Sequence, residues 1–264
     1  MKARQIQEMV GGIFLVLAVS GFLFAAVAPV TPVASLATAQ EEVKSKEALK
    51  NVIEDRLANK GFLQGNNIQV TVVDGKILLD GTVNSIGDKR HVERIVHHIS
   101  SSSIVDNRLQ IAGRPISDSA LTANVKEAID NSIFYGVFDW VTVKAKDGVV
   151  TLGGVASEAW AEDSFMSVAE TVRGVKEVVD EIELLPVSIR DDEIRHIASR
   201  AIYREIYYEP LSMAPNPPVH IIVHNGDVIL EGWVHSDLER MEAETLVETN
   251  TMAAKITNNL DIRP

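Results

Sequence analysis

The chain has 264 residues, 46% apolar and 23% charged, a balance that excludes a disordered or fibrous protein and allows two or three small globular domains. It contains no cysteine, which excludes disulfides, thiolate metal sites, a thiol nucleophile and a lipidated cysteine. The formal net charge of −12 argues against nucleic-acid binding, because an acidic surface repels the phosphate backbone.

The first 39 residues have the pattern of an export signal. Lys2 and Arg4 give a positive start, and an apolar run follows at residues 10–30. The motif Ala37-Thr38-Ala39 then supplies an A-x-A cleavage site, so we predict a signal peptide over residues 1–39. The apolar run is also long enough for an uncleaved membrane anchor, which needs about 20 residues and stays the alternative.

The rest of the chain repeats one pattern three times. Each copy has alternating apolar residues on both sides of an Asp-Gly or Asn-Gly pair, the strongest local signal for a β-hairpin with a type I′ turn. The turn glycines lie 73 and 78 residues apart. Together with the glycines of the following strands, they are Gly75, Gly81, Gly148, Gly154, Gly226 and Gly232.

Helical periodicity precedes and follows each hairpin, and a short apolar alternation closes each copy. Ser85, Ser157 and Ser236 stand where the second helices should begin, as N-caps. The predicted fold is α+β: three tandem αββαβ modules, each a three-stranded sheet with two helices on one face. We place module 1 at residues 45–113, module 2 at 117–186 and module 3 at 190–264. Strand order and the direction of the third strand stay open.

The copies share no acid, base or nucleophile, and the chain has neither a G-x-S-x-G elbow nor a phosphate-binding glycine loop. We therefore predict no enzyme activity, no catalytic residues, no metal site and no cofactor. His220 should face Glu231 and His224 should face Asp227 across the third hairpin. The two imidazoles would lie about 13 Å apart on the strand, so we interpret them as solvated cross-strand pairs rather than metal ligands.

The helix after the first hairpin carries His91, His97 and His98, which we interpret as a polar helix surface. Aromatic and long apolar residues cluster instead in the third copy. The candidate binding residues are Tyr207 and Tyr208 at the end of its first helix, and Leu211 and Met213 in a proline-rich insertion. They either pack against the sheet or form an exposed apolar lip that contacts lipid or a partner.

The repeat resembles a known family. The motif D-G-x-V-x-L-x-G at residues 147–154, the closing G-V-x-x-V-V-D-x-I at 174–182 and the αββαβ plan are similar to the BON domain of osmotically inducible periplasmic proteins. The resemblance covers residues 45–264.

It implies a non-catalytic periplasmic protein that binds membrane phospholipid or envelope components during osmotic or envelope stress. If the leader is not cleaved, the apolar run at residues 10–30 would anchor this protein in the inner membrane. The alternative is a protein–protein interaction scaffold or chaperone-like periplasmic protein without lipid binding.

The leader yields the first testable prediction. We expect the native protein to begin at Gln40, because the A-x-A motif follows a positive, apolar leader. Cleavage removes two basic residues and one acidic residue, so the mature chain carries a net charge of −13. Intact mass spectrometry of the purified native protein measures this directly. A species that begins at Met1 would show an uncleaved anchor.

Overall fold

The computed structural model describes residues 33–112, 116–207 and 216–263, without the side chains of residues 33–39 and Tyr207. The predicted apolar run at residues 10–30 lies outside the described residues. Within those ranges, no helix is both long and apolar enough to cross a membrane. The three modules lie in one compact unit, Lys44–Pro264.

Each module follows the predicted order of helix, hairpin, helix and closing strand. Module 1 contains α1 (Val33–Asn59), β1 (Asn67–Val73), β2 (Lys76–Val83), α2 (Ile86–Ile99), β3 (Ile104–Asn107) and β4 (Gln110–Ile111). Module 2 contains α3 (Asp118–Asp130), β5 (Trp140–Lys146), β6 (Val149–Ala156), α4 (Ala159–Thr171) and β7 (Glu177–Leu184). Module 3 contains α5 (Ile189–Ile202), a π-helical turn (Tyr203–Tyr207), β8 (Val219–His224), β9 (Asp227–Val234), α6 (Asp237–Asn250), β10 (Lys255–Asn258) and β11 (Asp261–Ile262).

The second strand of each hairpin is the central strand of its sheet. It pairs antiparallel with the first strand and parallel with the closing strand, which is split into two short strands in modules 1 and 3. The closing strand is parallel because a helix carries the chain back to the same end of the sheet. The predicted hairpin register is confirmed: Val72 lies opposite Ile77 and Val70 opposite Leu79.

Each module has its own hydrophobic core between one sheet face and its two helices. The buried residues of the module 1 core are Ile53, Leu57, Val70, Ile77, Leu79, Val83, Val92, Val96 and Leu109. Corresponding residues surround Phe165 in module 2 and Tyr203 in module 3. Residues from both helices enter each core, which confirms the predicted α+β fold with the helices on one face.

Backbone geometry explains the polar residues that recur in the turns. Asp74, Asp147 and Asn225 have φ values of 49°, 54° and 54°, and the glycine after each also has positive φ. This is the type I′ geometry predicted from the sequence. Asp and Asn tolerate the left-handed region better than other residues that carry a Cβ.

Two of the three predicted helix caps are confirmed. The hydroxyls of Ser85 and Ser236 accept the backbone N–H groups three residues on, at 3.1 and 3.2 Å. The prediction for Ser157 is wrong: α4 begins one residue later, after Glu158, whose side chain makes no capping bond. The turn glycine and the cap are ten residues apart in all three copies, and in the second copy that position is occupied by Glu158, with Ser157 one place before it.

The glycine inside each central strand has a different role from the turn glycine. At Gly81, Gly154 and Gly232 a Cβ atom would lie 2.0, 2.0 and 2.2 Å from the backbone carbonyl oxygens of Asn67, Trp140 and Pro218, at the start of the neighbouring strand or directly before it. All three also have positive φ. The close approach of the hairpin strands therefore leaves no space for a side chain.

We expect Gly81→Ala to destabilise module 1 more than Gly75→Ala does. Both positions have positive φ, at a strain of about 1–2 kcal/mol for alanine, but a Cβ at Gly75 meets no atom within 4 Å. The clash with the Asn67 carbonyl should add about 1–3 kcal/mol for Gly81→Ala. Hydrogen exchange of module 1 amides measures the difference. Equal protection in both variants would contradict the close approach at Gly81.

Candidate binding surfaces

The structure leaves most of the predicted binding residues undescribed. Tyr208, Leu211 and Met213 lie outside the described residues, and Tyr207 is described only through its backbone, in the π-helical turn. The neighbouring Tyr203 is fully buried in the module 3 core, where its hydroxyl donates to the Val219 carbonyl at 2.6 Å. This tyrosine packs against the sheet rather than forming an exposed lip.

An exposed apolar patch lies instead on module 2. It consists of Ile133, Phe134 and Trp160, which are 81%, 43% and 56% exposed. The rings of Phe134 and Trp160 meet edge to face, with centroids 6.1 Å apart. We call these three residues the apolar patch. A cluster of large apolar side chains in water marks a contact site more often than isolated ones do.

The turn after α3 produces this patch. Ser132 organises it: its hydroxyl accepts the N–H of Phe134 at 3.3 Å, and its carbonyl accepts the N–H of Tyr135 at 3.1 Å. Tyr135 is then buried against Phe165, with ring centroids 5.7 Å apart. Because the turn directs Tyr135 into the core, Ile133 and Phe134 remain on the surface beside the first turn of α4.

The apolar patch borders a cleft of about 430 Å³ at the junction of modules 2 and 3. Val137 and Phe138 extend the apolar lining on the module 2 side. The polar lining comes from both modules and consists of Asp139, Ser157, Glu158, Asp192, Arg195 and His196. The cleft thus combines apolar and charged residues, and module 2 contributes both kinds.

Asp139 fixes the module 2 side of this cleft. One of its carboxylate oxygens accepts the backbone N–H and the hydroxyl of Ser157, both at 2.8 Å, and the other accepts the N–H of Gly136 at 3.0 Å. Burial raises the pKa of Asp139, and these hydrogen bonds oppose the rise. Ser157 is therefore engaged in holding the loop instead of capping α4.

The loop at residues 136–139 also joins module 2 to module 3. The Val137 carbonyl accepts the N–H of Ile221 on edge strand β8 at 2.8 Å, and the Val137 side chain enters the module 3 core. The imidazole of His220 lies 3.1 Å from the Gly136 carbonyl through Nδ1. Because a carbonyl oxygen only accepts, Nδ1 carries the hydrogen.

The predicted solvated state of His220 is wrong. Its register opposite Glu231 is as predicted, but the side chain is only 2% exposed and packs against Tyr135 and Trp140, with ring centroids 4.8 and 5.2 Å away. Burial, with a smaller contribution from the charge of Lys126, lowers the pKa of His220 to about 4. Module 2 covers the sheet face that the alternation assigned to water.

The remaining histidines of the prediction are on the surface. His224 is exposed opposite Asp227, as predicted, and His91, His97 and His98 are exposed on α2. Among the residues that the structure describes, no three acidic or histidine side chains converge to hold a metal ion.

Comparison with known proteins identifies a family whose domain occurs three times in this chain. The BON domain profile matches residues 45–113, 117–186 and 199–264. Osmotically-inducible protein Y of Escherichia coli (strain K12) is 30% identical over 165 residues, 61% of this chain and 80% of that protein. An uncharacterized protein from the gshII 5′ region of Anaplasma centrale is 27% identical over 136 residues, 47% of this chain and 86% of that protein.

Among solved structures, the C-terminal domain of CdsD, a structural protein of the type III secretion system of Chlamydia trachomatis, is 14% identical, with a TM-score of 0.24. The match covers 80% of this chain and 96% of that one.

Burial of His220 makes stability depend on pH. The unfolded chain binds a proton near the ordinary pKa of 6.5, but the folded chain binds it only near pH 4. The contribution of neutral His220 is therefore fully present above pH 6.5 and falls as the pH drops towards 4, by on the order of 3 kcal/mol. Denaturant unfolding followed by tryptophan fluorescence, at pH 7 and pH 4.5, measures this loss.

His220→Asn should reduce this pH dependence, because an amide can still donate to the Gly136 carbonyl but does not titrate. His224→Asn, an exposed change on the same strand, is the matched control and should leave the pH profile as in the wild type. The same acid destabilisation in His220→Asn and wild type would contradict this assignment.

Proposed function

This chain belongs to the BON domain family, and on that basis we propose that it is an exported, non-catalytic protein of the cell envelope that associates with membrane phospholipid. The similarity to an osmotically inducible protein of E. coli supports a role in osmotic stress. The main evidence for a lipid contact is the exposed apolar patch of module 2.

The composition of the patch suits the surface of a bilayer. Tryptophan is enriched at membrane interfaces, where its ring is apolar and its N–H remains hydrated. Ile133 and Phe134 stand beside it on a short turn, so all three side chains can enter the interface without unfolding of the module. Each would contribute at most about 1.5–3 kcal/mol on burial, which gives weak and reversible attachment.

The acidic net charge of the protein favours an apolar lipid contact over general electrostatic attraction to the membrane. The mature chain would have 23 basic and 36 acidic residues, so its overall field repels anionic lipid headgroups. Contact through the apolar patch does not require net positive charge. We therefore expect vesicle binding to depend little on salt.

The insertion of module 3 is the second candidate for the lipid contact. Leu211 and Met213 lie in a segment rich in proline, which cannot continue the preceding helix. The experiment below tests both places side by side.

A protein–protein scaffold is the competing function, and the cleft beside the patch favours it. Its lining includes the exposed side chains of Glu158 and His196, which suit the polar groups of a peptide better than the acyl region of a bilayer. Tandem modules would then bind several partners with increased avidity.

We expect Ile133→Ser/Trp160→Ser to weaken flotation of the mature protein with phosphatidylcholine vesicles at least tenfold, because it removes two of the three apolar side chains from the interface. Both residues are exposed, so the fold should remain intact. Flotation is compared at low and high salt, and circular dichroism monitors folding.

The matched control is Leu238→Ser/Met241→Ser, which changes two side chains on α6 that are 73% and 64% exposed. A third variant, Leu211→Ser/Met213→Ser, tests the insertion. Loss of flotation only in this third variant would move the contact to module 3. If wild-type protein binds neither neutral nor anionic vesicles, the scaffold function replaces the lipid function.

A further inference from the structure

The groove between the two helices of module 1 is strongly basic. It has a volume of about 270 Å³ and is lined by Arg56, Lys60, His91, Arg94 and His98, together with two isoleucines. All five polar side chains are exposed, and within the described ranges none of them forms an ion pair. No acidic residue lines this groove, although the chain as a whole is acidic.

The other modules supply an internal comparison. Their buried helix positions align with those of module 1: Val92 and Val96 of α2 correspond to Phe165 and Ala169 of α4 and to Ala243 and Val247 of α6. The first helices align in the same way through Ile53 and Leu57, Val125 and Ile129, and Ala198 and Ile202.

At the five groove positions this alignment places neutral residues in module 2 and neutral or acidic residues in module 3. The residues of module 2 are Ala128, Ser132, Ser164, Ser167 and Thr171. Those of module 3 are Ala201, Glu205, Glu242, Thr245 and Thr249. The groove between α5 and α6 has nearly the same volume, about 290 Å³, and its lining contains two arginines and two glutamates.

The fold therefore does not require basic residues at these positions. Bringing like charges together is unfavourable unless an opposite charge is present. Interaction with the helix dipole accounts for cations in the last turn of a helix. Arg56 and His98 occupy such positions. It does not account for His91 and Arg94, which lie in the body of α2.

We propose that this basic groove binds a phosphate-bearing anion, either a soluble phosphate compound or a lipid headgroup. Guanidinium groups match the oxygens of a phosphate in a two-point hydrogen bond, and lysine adds a point charge. The groove is large enough for one or two phosphate groups and too small for a folded partner segment. This binding does not require the apolar patch, so the groove can be tested independently of the proposed membrane contact.

Isothermal titration of the intact mature chain with inorganic pyrophosphate tests the site. Arg56→Gln/Arg94→Gln should weaken binding at least tenfold, because it removes both arginines from the groove. The matched control is Arg200→Gln/Arg204→Gln, the same change of charge in the groove of module 3, and it should bind as the wild type does. Ile133→Ser/Trp160→Ser should also retain pyrophosphate binding.

Absence of pyrophosphate binding by the wild type would overturn the proposal, and so would equal losses in the two arginine variants. All variants are checked for native hydrogen exchange in module 1, so that loss of binding is not loss of fold. Flotation with vesicles containing phosphatidylglycerol distinguishes the two sources. If Arg56→Gln/Arg94→Gln loses vesicle binding as well, the ligand is a headgroup; if vesicle binding persists, it is a soluble phosphate compound.

Discussion

Each module depends on covering one apolar face of a three-stranded sheet. A sheet this small has too little area to exclude water by itself, and its two helices supply the missing apolar surface. Ile53 and Val92 are examples: they come from different helices and reach the same core in module 1. Because this requirement is met by the inward residues alone, the outer helix faces and the loops outside the hairpins are free to differ between modules.

A second constraint acts where the modules meet. The edge strand of a sheet leaves backbone N–H and C=O groups unpaired, and such an edge attracts other strands. In module 3 the edge strand β8 is covered by the loop at residues 136–139, through the hydrogen bond between Ile221 and Val137. This contact buries His220 and holds the cleft beside the apolar patch. The same loop thus contributes both to the shape of the cleft and to the burial of His220.

Local patterns were sufficient to predict the hairpins, the helices and their common face. Alternation around Asp-Gly or Asn-Gly pairs determines both register and turn type, so the pairing of Val70 with Leu79 followed from the sequence. Periodicity carries no information about the direction of β3 or β7, which depends on the crossover helices. The error at Ser157 arose because this serine matches Ser85 and Ser236 in residue type but stands one residue closer to its turn, so Glu158 occupies the cap position.

Contacts between modules were beyond this kind of prediction. Alternation identifies two faces of a strand and leaves open what covers the second face, and His220 contacts Gly136, which lies 84 residues earlier. The apolar patch could have been predicted from the sequence. Ile133 and Phe134 are consecutive apolar residues that follow the C-cap Asn131 and lie outside the helical periodicity. The predicted binding residues Tyr207, Tyr208, Leu211 and Met213 lie in the third copy instead.

The residues that distinguish one module from another are better guides to function here than the residues that recur. Recurrent residues such as Asp74, Asp147 and Asn225 are explained by backbone geometry, which every copy must satisfy. The patch residue Trp160 occupies the second position of its helix, where module 1 has Gly87, packed against the Glu170 carbonyl of module 2. The three modules share their buried positions and their turn geometry, and their exposed positions can differ without loss of the core. The apolar patch on module 2 and the basic groove on module 1 are two such differences. Salt screens the attraction of an anion to the groove, whereas it does not screen the burial of apolar area at the patch.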